Sequence, residues 1–281
     1  MLSPAISKIP GTVALGLGLR PPFYAEAAQG RVAVDWFELI SENFMVDGGN
    51  PLRVLDAVTA HYPVALHGVS LNLGGSDVLD APYLKRLDQL VRRVQPMHVS
   101  DHLCWTRHGG YHLHDLLPLP YTEETVQHVA RRIRTVQDKL GCRILIENVS
   151  SYAEFAQSQM HEWEFLGAVS DAADCHILLD LNNIFVSAHN HGFDPQHYLA
   201  AVPVQRVRQI HLAGHRVSGP LRIDTHDQAV SDPVWDLYAD ALRRFGPVPS
   251  MIERDDCIPP LAELLAELSK ARSISQQQFA A

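Results

Sequence analysis

Four cysteines in 281 residues, none of them in a C-x-x-C pair, exclude a zinc ribbon or a thioredoxin-type redox motif. No apolar run reaches the length of a membrane span. The N-terminal stretch Met1–Lys8 lacks the apolar core of a signal peptide, which leads to the expectation of a cytoplasmic protein. Positive charge is not in excess either. The net charge of −9 disfavours a general nucleic-acid role. Linkers, repeats and low-complexity tracts are missing, so the length reads as one domain, 1–272, followed by a disordered polar tail, 273–281. Hydrophobic residues make up 46% of the chain, which is enough for a full core and too much for disorder.

What is present is a repeated pairing of a short apolar run with an acid or an imidazole at its end. Val64–Leu66 runs into His67, and Met97–Asp101 into His102. Ile144–Ile146 ends at Glu147, Ile177–Leu179 at Asp180, and Val207–Ile210 at His211. Leu221–Ile223 is followed by Asp224-Thr225-His226, and Met251-Ile252 by Glu253. Short buried apolar runs read as parallel strands. Eight are expected: Val13–Gly18, Asp35–Ile40, Val64–Val69, Met97–Asp101, Arg143–Glu147, His176–Asp180, Val207–His211 and Pro249–Glu253. Amphipathic helical stretches separate them, at Pro51–His61, Ala81–Val94, Thr122–Leu140, Glu162–Ala173, Pro195–Ala201, Pro233–Phe245 and Pro260–Ala271. The alternation predicts an α/β protein, a (β/α)₈ TIM barrel. A doubly wound open sheet would not explain ligand-type residues on so many strand ends. Cys104–Pro120 is long for a strand-to-helix loop, and Gly109-Gly110 reads as a hairpin tip over the barrel mouth.

Strand tips of a parallel barrel share one mouth. Four histidines and four acids gathered there are costly unless paired or metal-bound, which points to a metal centre. Imidazole and carboxylate together suit zinc, iron or manganese. Asp224 and His226, two residues apart, are expected to share a face of a strand end. Asn183, just beyond Asp180, is expected to turn back toward the mouth. Nine candidates suit two or three metals better than one, with Glu147 as the bridging carboxylate. Glu38, Ser41, Glu42 and Asn43 either line the mouth or cap the next element. His108, His112, His114, His189 and His191 read as loop histidines, in contact with solvent or substrate. Cys142 and Cys175 open predicted strands, where a small buried hydrophobe fits. Cys104 and Cys257 lie near the mouth without an identifiable activating partner.

Gly16–Arg20, Phe37–Asn43, Leu66–Ser70, Ser100–Leu103, Ile146–Ser150, Asp180–Asn183, Ile210–Gly214, Asp224–His226 and Ile252-Glu253 together resemble the multinuclear non-haem iron-dependent oxygenases. The resemblance covers nearly the whole chain. It implies a xylose-isomerase-like barrel holding two or three irons, with O₂ as co-substrate. It implies oxidation of cysteine in a ribosomally synthesised precursor peptide, usually with a companion protein that presents the peptide. The three-zinc abasic-site endonucleases of the wider superfamily imply the ligand division. By motif, His67, His102 and Glu147 take one metal, and Glu147, Asp180, His211 and Glu253 a second. Asn183, Asp224 and His226 take the third, with Asn183 replacing a histidine of the motif. Catalysis through the metals would then centre on Glu147, Asp180 and His211. Arg254 stands where relatives carry an aromatic residue, which implies a different substrate surface.

A zinc phosphodiesterase is the alternative, weakened by the negative charge and by the lack of a basic cluster near the mouth. A two-metal sugar isomerase would not need His67 and His102. A metal-storage protein would not need an open mouth.

Overall fold

Eight of the apolar runs pair in parallel and close on themselves. The computed structural model describes residues 12–279. The N-terminal stretch read for a signal peptide lies outside them. In chain order the first half comprises β1 (Leu15–Gly18), α1 (Tyr24–Ala28), β2 (Trp36–Ile40), α2 (Asn50–Thr59), β3 (Val64–Gly68), α3 (Ala81–Val94), β4 (Val99–His102), β5 (Trp105–His108), β6 (Tyr111–Leu117) and α4 (Glu123–Leu140). The second half comprises β7 (Leu145–Glu147), α5 (Glu162–Ala173), β8 (His176–Asp180), α6 (Leu181–His191), α7 (Pro195–Ala201), β9 (Val207–Leu212), β10 (Arg216–Ser218), β11 (Leu221–Ile223), α8 (Asp232–Phe245), β12 (Ser250–Ile252) and α9 (Leu261–Phe279). The closed barrel has the order β1-β12-β9-β8-β7-β4-β3-β2. The chain is therefore a (β/α)₈ barrel, as the alternation predicts. Two antiparallel hairpins, β5-β6 and β10-β11, are inserted after β4 and β9, on the C-terminal face.

The helices form for local reasons. Asp80 caps α3 by accepting from the Tyr83 N–H, and α3 buries Tyr83, Leu84, Leu87, Leu90 and Val94 along one stripe. Thr122 caps α4 through the Thr125 N–H, and Gly141, at φ +70°, ends it. Every residue of β3 is buried, as a strand covered on both faces requires.

The barrel interior is layered. Trp36, Ala65 and Met251 plug the N-terminal half. Gly16 makes room for the plug, since a Cβ there would sit 2.5 Å from the Trp36 ring. Two residues above Trp36 comes Glu38, buried opposite Gln209, and above them the polar layer begins. Register then places His67 beside Ser100, His102 beside Glu147, and Asp180 beside His211.

Four expectations need correction. Leu221–Ile223 is not a barrel strand. It pairs antiparallel with β10 and stays exposed to half-buried, whereas the equally short barrel strands β7 and β12 are fully buried. Asp180 is followed at once by α6, so His189 and His191 sit in a last helical turn instead of a loop. Cys142 is exposed, whereas Cys175 is buried as expected. The expected tail from Ser273 is instead the end of α9, which runs to Phe279. Ser275 is buried there, and Ile274 and Phe279 pack on the core. Ala280 and Ala281 lie outside the described residues. No helix among the described residues is long and apolar enough to cross a membrane.

Candidate metal centre

Glu147, at the tip of β7, sits between three imidazoles. His67 Nε2 and His102 Nε2 each lie 3.3 Å from its Oε2, and His211 Nδ1 lies 3.5 Å from its Oε1. The far nitrogens of these rings are occupied. His67 Nδ1 meets the Ser100 hydroxyl at 2.8 Å, and His102 Nδ1 donates to the Gly68 carbonyl at 3.2 Å. A carbonyl can only accept, so His102 keeps its proton on Nδ1 and turns a lone pair on Nε2 inward. His211 is turned the other way round. Its Nε2 lies 3.0 Å from Glu38 Oε1, and its Nδ1 faces Glu253 Oε2 at 3.1 Å. Glu38 thus holds the proton on Nε2 and frees Nδ1. Gln209, two residues before His211 on the same face of β9, donates to Glu38 and fixes it.

A second, more open group is borne by the β9–α8 connection. His226 Nε2 lies 2.7 Å from Asp224 Oδ1, and His226 Nδ1 lies 3.1 Å from Asp255 Oδ2. Asp224 is held from several sides. Its backbone N–H donates to the Tyr152 hydroxyl, and its carboxylate accepts from Asn182 Nδ2 at 2.7 Å and from the Ser150 hydroxyl at 3.3 Å. The segment returns onto β9 because the His226 N–H donates to the Gly214 carbonyl at 3.1 Å. Gly214 has no space for a side chain, since a Cβ would collide with the Gln228 carbonyl.

The donor atoms fit cations better than they fit each other. Donors of His67, His102 and Glu147 fall within 4.8 Å of one another, as do those of Glu147, Asp180, His211 and Glu253, and those of His226, Glu253 and Asp255. Two ligands about 2.1 Å from a shared tetrahedral ion lie about 3.4 Å apart, close to the spacings observed. Buried atoms without any hydrogen-bond partner include Glu147 Oε2, Asp180 Oδ2, Asn183 Oδ1, His211 Nδ1 and His226 Nε2. Buried polar atoms without a well-formed hydrogen bond are rare in proteins, and five in one mouth form a donor set suited to a cation. Asp255 in the third group is already engaged. Arg20 donates to its Oδ1 from Nε at 3.1 Å and from Nη2. Asp255 is therefore better placed to orient His226 than to bind a metal.

The electrostatics follow the same logic. Burial works to raise the Glu147 carboxyl, but His102, His211 and His67 outweigh it and hold it at about 2. Burial likewise opposes ionisation of Glu253, yet His226 and His211 bring it well below the usual carboxylate range. Asp180 moves the other way. Burial, then Glu147 and Asp224, push it well above that range, so this carboxylate needs a cation to ionise. Cys104 is buried nearby, and burial together with Asp101 and Glu147 pushes its thiol well up. In the metal-free chain this thiol is held protonated.

A family model described as RiPP precursor modification enzyme MbnB/TglH/ChrH matches residues 14–276. The chain belongs to that family. Its members act on precursor peptides made by the ribosome. A UPF0276 protein of Caulobacter vibrioides is 59% identical over 259 residues, covering 92% of each chain. A UPF0276 protein of Anaeromyxobacter is 53% identical over 266 residues, covering 95% of this chain and 94% of the relative. Among solved structures, endonuclease IV from Thermus thermophilus aligns with a TM-score of 0.61 at 15% identity, over 94% of this chain and 99% of that one. The 3-keto-D-glucoside 4-epimerase from E. coli aligns with a TM-score of 0.58 at 14% identity, over 93% and 100%. At such identities the likeness is one of fold, the xylose-isomerase-like barrel.

In this family member the structure brings together His67, His102, Glu147, Asp180, His211 and Glu253, and sets Asp224 against His226. Asp224 and His226 lie in irregular chain after a hairpin, with His226 at φ +49°, and not on a strand end. Asn183 sits in the first turn of α6, where its amide donates to the Asn148 carbonyl at 3.0 Å. Asn182 is the residue that bonds Asp224. Glu38, left open between mouth and cap, belongs to the barrel interior. Glu42 does line the mouth side, accepting from the Tyr83 hydroxyl and from the Val69 N–H. Arg254 does not alter a substrate surface. It is buried and donates to Glu267 on α9 at 3.0 Å. Gln209, Asp255 and Arg20 escaped the sequence reading. The signal for Gln209 was a polar residue two before His211 in an otherwise apolar strand.

Proposed function

We propose that this enzyme is a multinuclear iron-dependent oxygenase of the cytoplasm that modifies cysteine in a ribosomally synthesised precursor peptide, presented by a companion protein. The observation that supports it most is the sharing of Glu147 and Glu253 between neighbouring donor groups in a protein of a peptide-modifying family. His67, His102 and Glu147 would hold one iron, and Glu147, Asp180, His211 and Glu253 a second. Asp224, His226 and Asn183 would hold a third, on the open side. Bound iron supplies redox chemistry toward O₂ and affinity for a thiolate.

The chain's own residues prepare the site. Glu38 and Gly68 orient the rings of His211 and His102, so that Nδ1 of the first and Nε2 of the second face the centre. Asp224 and His226, more open than the strand-borne donors, leave room for a peptide at the mouth.

Co-production with a cysteine-bearing precursor peptide tests the reading. The peptide's mass should change, and the change should need both O₂ and the cysteines. Protein made in iron-replete cells should contain more than one iron per chain. Modification under strict anoxia, or of a peptide with every cysteine replaced by serine, would overturn the proposal. Cleavage of abasic DNA by zinc-loaded protein would replace it with the phosphodiesterase reading.

A further inference from the structure

We infer that the cavity between the β7–α5 loop and the end of α6 is a binding site for one basic side chain, lysine or arginine, of the peptide being modified. The inference rests on the peptide reading above. The cavity holds about 500 Å³, and Tyr121, Glu154, Glu162, Trp163 and Phe193 are among its walls. Three glutamates line it, Glu154, Glu162 and Glu164, and among the described residues no lysine or arginine does. Two imidazoles are present but engaged. His161 stacks on Trp163 at 4.4 Å, and His191 Nε2 meets the Ser151 carbonyl at 3.0 Å.

Glu162 decides the chemistry. Its Oε1 accepts from the Tyr198 hydroxyl at 3.0 Å, and among the described residues no ion pair is formed by it. As the first residue of α5 it stands where a helix favours negative charge. Burial opposes this and pushes its carboxyl up to about 8. A cation entering the cavity would remove that conflict, whereas an apolar side chain would leave it in place. The aromatic walls suit the same ligand. Trp163 and Phe193 both line the cavity, 5.3 Å apart and edge to face, and such rings attract ammonium and guanidinium groups. Met160 and Phe155 offer apolar surface to an aliphatic stem.

The position suits a peptide. Ser150 and Tyr152 both hold Asp224, while Ser151 between them lines the cavity. One thin strap thus separates the cavity from the open side of the metal centre. A few residues of extended chain, at about 3.3 Å each, cross it. The cavity therefore selects peptides with a basic residue near the reactive cysteine.

Nα-acetyl-arginine methylamide is the probe, and its neutral norleucine analogue the control. Ligand-observed NMR titration of the whole protein should show saturable millimolar binding of the first and none of the second. Glu162→Gln should weaken binding about tenfold, and Trp163→Leu, which keeps the carboxylate, by a similar factor. Glu26→Gln, at an exposed position on α1, should change nothing. Equal binding of the norleucine analogue, or unaltered binding by both Glu162→Gln and Trp163→Leu, would overturn the inference. Probe binding by a protein that modifies no peptide leaves this site standing and removes the peptide reading. Peptide modification without probe binding does the reverse.

Discussion

The donors on strand tips and the donors on the β9–α8 connection are built on different principles. His67, His102, Glu147, Asp180 and His211 stand on five barrel strands, and their relative positions follow from hydrogen-bond register. Each is buried, and the far side of each of the three rings is tied to Ser100, Gly68 or Glu38. Asp224 and His226 have no register to rely on. They depend on Ser150 and Tyr152 of the β7–α5 connection, Asn182 of the first turn of α6 and Asp255 beyond β12. A strand-borne donor is fixed by the fold itself, whereas a loop-borne donor is fixed only by its neighbours. The inner half should bind metal tightly and answer little to distant changes. The outer half should be the one that loosens.

Glu147→Ala should have the largest effect, because it strikes two donor groups at once. Metal content by elemental analysis should fall by at least two ions per chain while circular dichroism stays native. Loss of a single ion would break the bridging assignment. Glu38→Ala comes next. It frees His211 to carry its proton on either nitrogen, and metal affinity should fall by about 10–100-fold, the usual cost of losing such a support. Glu38→Gln, which can only accept through one oxygen, should recover part of it. Asp224→Ala should remove one ion and leave the others, and it would collapse the inner–outer distinction if all metal were lost. Asn183→Ala should do less than Glu147→Ala, since a neutral amide serves one ion at most.

The pH dependence of stability gives the smallest effect and separates metal-free from loaded protein. Burial lowers His67, His211 and His226, but the carboxylates around them win and raise all three, and Asp180 is raised by burial. Folding the metal-free chain therefore takes up protons. This stability is fully present below the unfolded values and is lost as pH rises through the raised folded ones. Metal binding displaces those protons, so the loaded chain gains stability over the same range. Melting temperatures between pH 6 and 8 should slope downward without metal and upward with it. Parallel slopes would mean that these residues do not bind metal.

The two regions also differ in how far the sequence reveals them. A short apolar run ending in His or Glu reports both a strand and its tip, so His67, His102, Glu147, His211 and Glu253 were legible. Asp224-Thr225-His226 was legible as a pair but not as a loop, because Leu221-Arg222-Ile223 imitates a strand. The helix after Asp180 was hidden because Asp180 already had a reading as a ligand. Its second duty is to cap α6 by accepting from the Asn183 N–H. Glu38 and Arg20 could not be placed from sequence, since their partners are more than 170 residues away.

Barrel closure has a consequence for how the enzyme matures. β12 completes the ring by pairing with both β9 and β1, and Glu253 follows it directly. The donors on β3 and β4 leave the ribosome long before Glu253 does. A nascent chain can present His67 and His102, yet it cannot assemble the donor group that needs Glu253 until its last strand is inserted. Contacts of such sequence separation form late and slowly. If the proposed centre binds metal, uptake at that group would be a record of completed folding, and a chain truncated before β12 would be denied it however much metal the cell contains.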